Sequence, residues 1–268
     1  MSIELASVSD DIADAIQAPP PEMGKAAPTQ VELLRGVVDP TSGEWHTTAT
    51  VREMNGADEE ELARLSATQE DISYAEYTTA LLTRAVTSIG SLPTKSDPSI
   101  LDNLIIGDRD MLFLGIIKAT YGNVRTFNVS CPSCHSANDV RVNMDEDFPV
   151  TQPLNDPRVP RTVTLRNGMD VKVKFPTGAD AKLIASSGST SAEQSTTIIT
   201  RCVVWDDDRS DAVKTMWAKE LSVADRKSIV TAALEDQPGP RLEEVEASCA
   251  SCSETITMIM DWASLLFG

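Results

Sequence analysis

Two C-x-x-C motifs constrain the fold of this chain more than any other feature of its sequence. They read C-P-S-C at residues 131–134 and C-A-S-C at residues 249–252. Each lies between two segments in which apolar and polar residues alternate, the pattern of a β-hairpin with the motif at its tip. Two such turns predict one closed, tetrahedral zinc site with no open position for water. The predicted ligands of this single structural Zn²⁺ are Cys131, Cys134, Cys249 and Cys252.

Other roles for the cysteines and for the neighbouring histidine are also open. Iron in a rubredoxin-like site needs similar ligands, so the metal is not fixed by the motifs. A redox-active C-x-x-C is disfavoured because such motifs usually open a helix, whereas these lie between strands. His135 is expected to occupy a turn position with positive φ rather than to bind metal. Cys202 falls on an apolar helical stretch and is expected to be a buried small residue.

The distance between the motifs points to an internal duplication. The two motifs are 114 residues apart, far more than a compact zinc ribbon uses. Similar landmarks precede both motifs in the same order and at nearly constant spacing, which is typical of a repeat. The matched pairs are Gly56-Ala57-Asp58 with Gly178-Ala179-Asp180, Arg84 with Arg201, and Asp108-Arg109 with Asp225-Arg226.

The segments around the motifs predict an α+β fold of two hairpin-plus-helices repeats joined by a split zinc ribbon. The expected organisation is an N-terminal arm at 1–30, repeat one at 31–150, a Pro-rich linker at 151–160 and repeat two at 161–268. Hairpins are expected over 36–54 and 162–175, besides the two that carry the cysteines. Helices are expected over 9–17, 59–67, 73–88, 108–121, 180–185, 192–204 and 222–234, and an apolar tail over 261–267.

The net charge of the chain limits the classes of partner that it can bind. The formal net charge of −18 is large for 268 residues, and such a surface repels phosphate backbones, whereas nucleic-acid binders carry a basic face. A zinc-ribbon module that binds DNA or RNA is thus the less favoured alternative to a protein that acts through protein contacts, and we expect no nucleic-acid partner. The arm at 1–30 is either a disordered tail or a segment that docks on a partner protein.

The sequence also indicates where the protein is made. Its N-terminus lacks a basic region followed by an apolar run, so no signal peptide is expected. No stretch approaches the ~18 to 20 apolar residues of a membrane span. A soluble protein of a reducing cytosol is expected, where paired C-x-x-C motifs favour metal over disulfides.

Nothing in the sequence favours an enzyme. The acidic run Asp206-Asp207-Asp208 is expected to be a solvated turn, and Asp108 and Asp110 are expected to lie near a helix start as caps. There is no phosphate-binding glycine loop and no H-E-x-x-H motif. A metalloenzyme or redox protein is the least favoured class, and no catalytic residue or organic cofactor is expected.

The order of these features resembles the baseplate proteins of T-even-type contractile-tailed bacteriophages. The resemblance covers about residues 35–268 and rests on a hairpin, a helical segment, Tyr121-Gly122 before the first cysteine motif, and a second motif near the C-terminus. The sequence departs from the commoner pattern at His135 and Ser253, where glycine is usual. The resemblance implies a non-enzymatic tail hub component or assembly chaperone that carries the same four cysteine ligands.

This resemblance also implies partners and a location. Other tail and baseplate proteins are the expected partners, with the N-terminal arm as a candidate contact segment. The protein is expected in the bacterial host cytoplasm during assembly and, if it stays in the particle, in the tail baseplate of the virion.

Overall fold

The structure is a computed structural model that describes residues 29–68, 72–188, 190–235, 237–241, 244–260 and 262–267. The expected helix over 9–17, and the arm except for its last two residues, lie outside this range. Within it the chain forms nine helices and thirteen strands in small antiparallel sheets, which confirms the α+β class.

The first half of the described chain, residues 29–151, begins with a hairpin and ends with the hairpin of the first cysteine motif. Its strands are β1 (Thr29–Val38), β2 (Trp45–Val51), β3 (Val86–Ile89), β4 (Leu92–Pro93), β5 (Val124–Ser130), β6 (Ala137–Asn143) and β7 (Val150–Thr151). Its helices are α1 (Gly56–Thr68), α2 (Tyr74–Ala85), α3 (Ser99–Asp102) and α4 (Ile106–Tyr121).

The second half, residues 161–260, contains a similar order of elements and is followed by one short helix. Its strands are β8 (Arg161–Thr164), β9 (Asp170–Val173), β10 (Val203–Val204), β11 (Gly239–Pro240), β12 (Glu244–Ser248) and β13 (Thr255–Ile259). The helices are α5 (Gly178–Ser186), α6 (Ser191–Cys202), α7 (Asp211–Glu220), α8 (Val223–Leu234) and the final α9 (Trp262–Phe267).

Two sheets and two cores organise these elements. The strand order is β1-β2-β3-β4 in one sheet and β10-β9-β8 in the other, while β5 pairs with β6 and β12 with β13. The larger core packs α4 against the first sheet and also takes in Val245, Met260, Leu265 and Leu266 from the end of the chain. The smaller core lies between the second sheet and helices α6, α7 and α8. The C-terminal hairpin is thereby anchored on the first half.

Helix α4 lies at the centre because it is apolar on most sides, as the sequence predicts. Leu112, Phe113, Ile116 and Ile117 on this helix are fully buried. Gly115 allows close contact with β1, since a Cβ there would lie 2.4 Å from Val31 Cγ2. At the start of the helix, a Cβ on Gly107 would lie 1.6 Å from the carbonyl oxygen of Pro238, so the segment with β11 packs directly on α4.

The carboxylate of Asp108 joins α4 to β1 instead of capping its own helix. It accepts hydrogen bonds from the backbone N–H groups of Leu34 (2.6 Å) and Gly36 (2.8 Å), and from Arg35 N–H. Helix α4 has no side-chain cap at Ile105. The expectation of a helix cap was therefore wrong for Asp108, because the edge of β1 offers unpaired donors to the same carboxylate.

Two helix ends and one additional helix differ from the sequence predictions. The helices expected over 73–88 and 192–204 end at Ala85 and Cys202, and the chain continues as β3 and β10. The β-branched residues after each helix favour a strand that pairs with the preceding hairpin, and Val86, Ile89 and Val203 are thereby buried. A helix that the sequence analysis did not predict, α7, begins at Asp211 directly after the acidic loop.

Candidate metal centre

The cysteine motifs lie at the tips of two antiparallel hairpins. β5 and β6 pair from Val124↔Asn143 to Ser130↔Ala137, and β12 and β13 pair from Glu244↔Ile259 to Ser248↔Thr255. The first cysteine of each motif follows the first strand of its hairpin, so the strand ladder fixes the position of the turn. The hairpins predicted around both motifs are confirmed.

The two turns have the same backbone geometry. Cys131 N–H donates to Ser136 O at 2.9 Å, and Cys249 N–H donates to Glu254 O at 2.8 Å. In the reverse direction, His135 N–H and Ser253 N–H donate to the carbonyls of Cys131 and Cys249. His135 and Ser253 have φ values of 58° and 60°. The expectation that His135 fills a positive-φ turn position is confirmed, and Ser253 fills the same position in the second turn.

The four sulfur atoms form a compact cluster with tetrahedral dimensions. All four lie within 4.8 Å of one another. Cys131 Sγ lies 3.7 Å from Cys252 Sγ, and Cys134 Sγ lies 3.6 Å from Cys249 Sγ. A tetrahedron with Zn–S bonds of about 2.3 Å has S···S edges of about 3.8 Å, so the cluster has the size for such an ion. The thiols are free, and these separations exceed the ~2.05 Å of a disulfide.

Both hairpins contribute one buried and one exposed sulfur. Cys131 and Cys249, the first cysteines of the motifs, are buried, while Cys134 and Cys252 lie on the exposed side. Ile256 and Val129 pack beside the buried pair. The cluster therefore has one buried side and one exposed side.

Ser136 and Asn138 join the two turns and were not identified from the sequence. Ser136 Oγ lies 3.1 Å from Cys134 Sγ and 3.2 Å from Cys249 Sγ, and its hydrogen bond is the largest of several contacts that lower the pKa of the Cys249 thiol. Asn138 Oδ1 accepts from Ala250 N–H at 2.9 Å, while its amide donates to Ser136 O. Asn138 shares the buried face of β6 with Val140, and this polar residue at an inward position was the available signal.

Contacts at the base of the first hairpin hold it against the end of the chain. Tyr121 Oη donates to Leu266 O at 3.0 Å, and the Arg125 guanidinium donates to Leu265 O. The same guanidinium lies over the rings of Tyr121 (4.4 Å) and Phe127 (5.0 Å). Through α9 these contacts bring the two hairpins onto one core, which positions both cysteine motifs.

The remaining residues singled out from the sequence lie away from the cluster. Cys202 is buried in the second core and burial raises its pKa to about 12, as expected for an apolar role. The Asp206-Asp207-Asp208 run is exposed, and Arg209 Nε bonds Asp207 at 2.6 Å. In the part of the chain that the structure describes, the four cysteines are the one cluster of His, Cys, Asp or Glu with the geometry of a metal site.

Two arginines make the same set of contacts in the two halves. Arg109 donates to Leu101 O, Ala75 O and Thr79 Oγ1, at sequence separations of 8, 34 and 30 residues. Arg226 donates to Ala218 O, Ala192 O and Thr196 Oγ1, again at separations of 8, 34 and 30 residues. In each half the arginine on the last long helix therefore binds the preceding helix and the first turn of the one before.

The helices bound by these arginines also begin alike. Ser73 caps α2 in a capping box with Glu76, and Thr190 caps α6 in a capping box with Glu193. Ser222 caps α8, and Asp225 on that helix accepts from Arg166 N–H of the second hairpin at 2.9 Å. The pairs Asp108-Arg109 and Asp225-Arg226, noted as repeated landmarks, thus each bind a hairpin and a helix.

Comparison with known proteins assigns a family to this arrangement. A family model described as T4 bacteriophage base plate protein matches residues 39–266, which is most of the chain. No curated protein and no solved structure gives a significant match. Within the described residues, no helix combines the length and the apolar character needed to cross a membrane.

Proposed function

The chain belongs to the T4 bacteriophage base plate protein family, and on that premise we propose that it is a hub component or assembly chaperone of a phage tail baseplate. It acts through protein contacts, and a structural four-cysteine zinc site holds its hairpins together. The observation that carries the proposal is the cluster of four sulfurs contributed by two cysteine motifs that 114 residues separate in the sequence.

The residues present fit a structural zinc ion. We assign Cys131, Cys134, Cys249 and Cys252 as its ligands, with one ion per chain. Four thiolates complete a tetrahedron and leave no position for a substrate, so the ion would supply cohesion rather than chemistry. Ser136 and Asn138 would orient the sulfurs, in the manner of hydrogen-bonding groups around other metal sites. A role without catalysis follows from the family and from this closed ligand set.

We further propose that the two halves arose by duplication, as repeats at 31–150 and 161–268 with a linker at 151–160. The matched arginine contacts and capping boxes support this division. The zinc site then joins equivalent hairpins of the two repeats across a pseudo-twofold axis. Because the ligands come from both repeats, metal binding and docking of the repeats become one event.

The proposed partners are other baseplate proteins, met in the host cytoplasm during assembly or in the finished tail. The net charge of −18 favours protein surfaces over nucleic acid. The arm at 1–30 is a candidate contact segment.

Metal removal combined with co-purification tests the proposal. Native mass spectrometry of the intact chain is expected to show one zinc, and Cys131→Ser or Cys249→Ser is expected to abolish it. Structural zinc contributes roughly 10 to 16 kcal/mol of apparent binding free energy, comparable to the net stability of a domain at ~5 to 15 kcal/mol. The cysteine variants should therefore also lose co-purification with the baseplate proteins encoded beside this chain.

Two controls separate metal loss from general damage. Cys202→Ala changes a buried cysteine outside the cluster and should keep both the zinc and the partner. Graded chelation of the parent protein should release the partner in proportion to the zinc removed. A parent protein without zinc, or a zinc-free variant that still melts and binds like the parent, would overturn the structural role of the metal.

A further inference from the structure

A groove of about 270 Å³ lies beside the second sheet, where strands β9 and β10 separate. One side is formed by the start of β9, with Met169, Asp170 and Val171. The other is formed by Trp205 and Asp206, which follow β10, and by Trp217 on α7. The metal centre and its contacts do not involve any of these residues.

The first half shows what fills the equivalent position. Arg52 N–H donates to Ala85 O and Lys174 N–H donates to Cys202 O, both at 2.9 Å, which aligns the two sheets. In this alignment Asp170 and Val171 correspond to Thr48 and Ala49, because they stand at the same distances before Lys174 and Arg52.

The backbone of the first half covers those positions. Ala49 pairs with Ile89 of β3, and Gly90 N–H donates to Thr48 O at 2.7 Å. Ile89 is fully buried there. An extended segment with one apolar side chain thus completes the edge of β2.

The second half lacks this cover. β10 pairs with β9 only at Val203↔Val173 and Val204↔Lys172. Beyond that point, no strand among the described residues pairs with Asp170 and Val171 on the side away from β8. Since Leu165 N–H donates to Met169 O in the β8–β9 turn, the alternation of an antiparallel ladder directs the Asp170 backbone groups away from β8. A sheet edge with free backbone groups is a template for another strand.

The apolar side of the groove has an unsatisfied donor. Trp205 Nε1–H is shielded from solvent and has no acceptor among the described residues. The ring of Trp205 packs edge-on against that of Trp217, with centroids 4.9 Å apart. Met169 and Val204 beside it are 41% and 36% exposed. An inserted segment would bury this apolar surface against the ring of Trp205.

The charged residues around the groove indicate the charge of the segment that would bind there. Asp170, Asp206 and Asp207 line it together with two cations, Lys172 and Arg209. Arg209 is already engaged, since it bonds Asp207 and lies 4.7 Å from the Trp205 ring. Asp206 is exposed, and Asp208 extends the acidic run beyond the groove. With Asp207 and Arg209 paired, the carboxylates of Asp170 and Asp206 remain against the single cation Lys172, so the groove is net negative and matches a positively charged strand.

We propose that the edge of β9 at Asp170–Val171 and the adjoining tryptophan groove bind an extended, basic segment of a partner protein, which adds to the sheet as a further strand. The segment would place one apolar residue beside Met169 and Val171, in the position that Ile89 takes beside Ala49 in the first half. A second copy of the chain is a poorer occupant because each copy carries a net charge of −18. The inference rests on the proposed role through protein contacts and names the surface used.

A peptide copied from the first half is a suitable probe. It has the sequence of residues 86–91, the strand and turn that cover β2, with one lysine added at each end and both termini blocked. Titration into the full chain should shift the backbone amide signals of Asp170, Val171 and Lys172 in a ¹H–¹⁵N spectrum. The Trp205 indole signal should shift with them, and hydrogen exchange at the Asp170 amide should slow.

Charge variants test the selectivity. The same peptide with glutamates in place of the added lysines should bind markedly more weakly. Asp206→Lys should weaken binding of the lysine peptide about fivefold, from the loss of one attraction and the gain of one repulsion. Glu60→Lys makes the same charge change at an exposed site on α1 in the first half and should leave the affinity unchanged.

Three results would overturn the proposal. They are no binding of the lysine peptide at millimolar concentration, signal shifts confined to other surfaces, and a dimer in solution that Asp206→Lys dissociates, which would assign the groove to a second copy. Zinc content and co-purification through the metal-dependent fold are measured separately. Failure of the peptide would therefore leave the proposed baseplate role standing.

Discussion

Replacement of Arg109 by methionine should be among the most destabilising single changes in this protein. The side chain is 3% exposed, and it donates to Leu101 O at 2.9 Å, Ala75 O at 3.2 Å and Thr79 Oγ1 at 2.6 Å. These three acceptors lie on or beside the two preceding helices, so one guanidinium ties α4 to both. Methionine keeps most of the apolar stem but supplies no donor.

The size of the destabilisation follows from the buried acceptors that lose their donor when Arg109 is replaced. Breaking a buried charged network from one side costs about 3 to 5 kcal/mol, because the remaining groups lose their partner without regaining water. Asp102, 3.5 Å from Arg109, keeps Lys182 at 2.8 Å and is not left alone. Relief of the burial of the guanidinium offsets part of the loss. We expect Arg109→Met to lower the free energy of unfolding by about 3 to 4 kcal/mol.

The matched arginine of the second half provides an internal comparison. Arg226 makes the same contacts, with Ala218 O at 2.6 Å, Ala192 O at 2.9 Å and Thr196 Oγ1 at 2.9 Å. It is less buried, so water can replace it at part of these acceptors. Arg226→Met should cost about 1 to 2 kcal/mol.

Urea unfolding of the two variants, followed by far-UV circular dichroism, measures both values. Lys227→Met is the control, since Lys227 is exposed and adjacent to Arg226, and it should change stability by less than about 0.5 kcal/mol. The reasoning is refuted if Arg109→Met costs less than about 1 kcal/mol, or if Arg226→Met costs as much as Arg109→Met.

Three further changes have expected outcomes. His135→Gly should keep the metal and raise the free energy of unfolding in urea by about 0.5 to 1 kcal/mol, because φ at residue 135 is 58° and glycine adopts such a value without steric cost. Unchanged or lower stability would show that the histidine backbone is not strained in this turn. Gly107→Ala should lower the melting temperature strongly, because the added Cβ would lie 1.6 Å from the carbonyl oxygen of Pro238. The control Gly56→Ala places its Cβ in open space and should leave the melting temperature nearly unchanged. Equal melting temperatures for the two variants would count against the packing of Gly107 on Pro238. Burial raises the pKa of Asp110 to about 7, so the folded protein holds a proton on this carboxyl over a pH range in which the unfolded chain has lost it. Between about pH 4 and 7 the parent should therefore lose stability with rising pH relative to Asp110→Asn. Parallel pH profiles of stability for the two proteins would refute the raised pKa.

Each half of the cysteine cluster could be predicted from the sequence because the geometry of one C-x-x-C turn is local. A C-x-x-C turn places two sulfurs on one side within four residues, and the alternation around it predicts the hairpin. The contacts of Ser136 and Asn138 with the other hairpin are long-range and leave no local pattern. Only the inward position of Asn138 on β6 hinted at a buried partner.

The element boundaries were less predictable for a related reason. Val86–Ile89 and Val203–Val204 continue an apolar helix, and nothing local distinguishes another helical turn from a strand that pairs with a distant hairpin. Asp108 and Asp225 were recognised as repeated landmarks. Their hydrogen bonds to Leu34 and Arg166 depend on tertiary packing, which spacing alone does not reveal.

The division of the cysteine cluster between two distant hairpins has a consequence during synthesis. At about 5 to 20 residues per second, the ribosome needs roughly 6 to 24 s to advance from Cys131 to Cys249. For that interval the first thiol pair is made but has no partner, and any ion it binds is held by two sulfurs. The four-sulfur cluster is complete only after Cys252 has emerged. A chain cut short anywhere between the two hairpins therefore carries an open pair of thiols, which distinguishes it chemically from the finished protein.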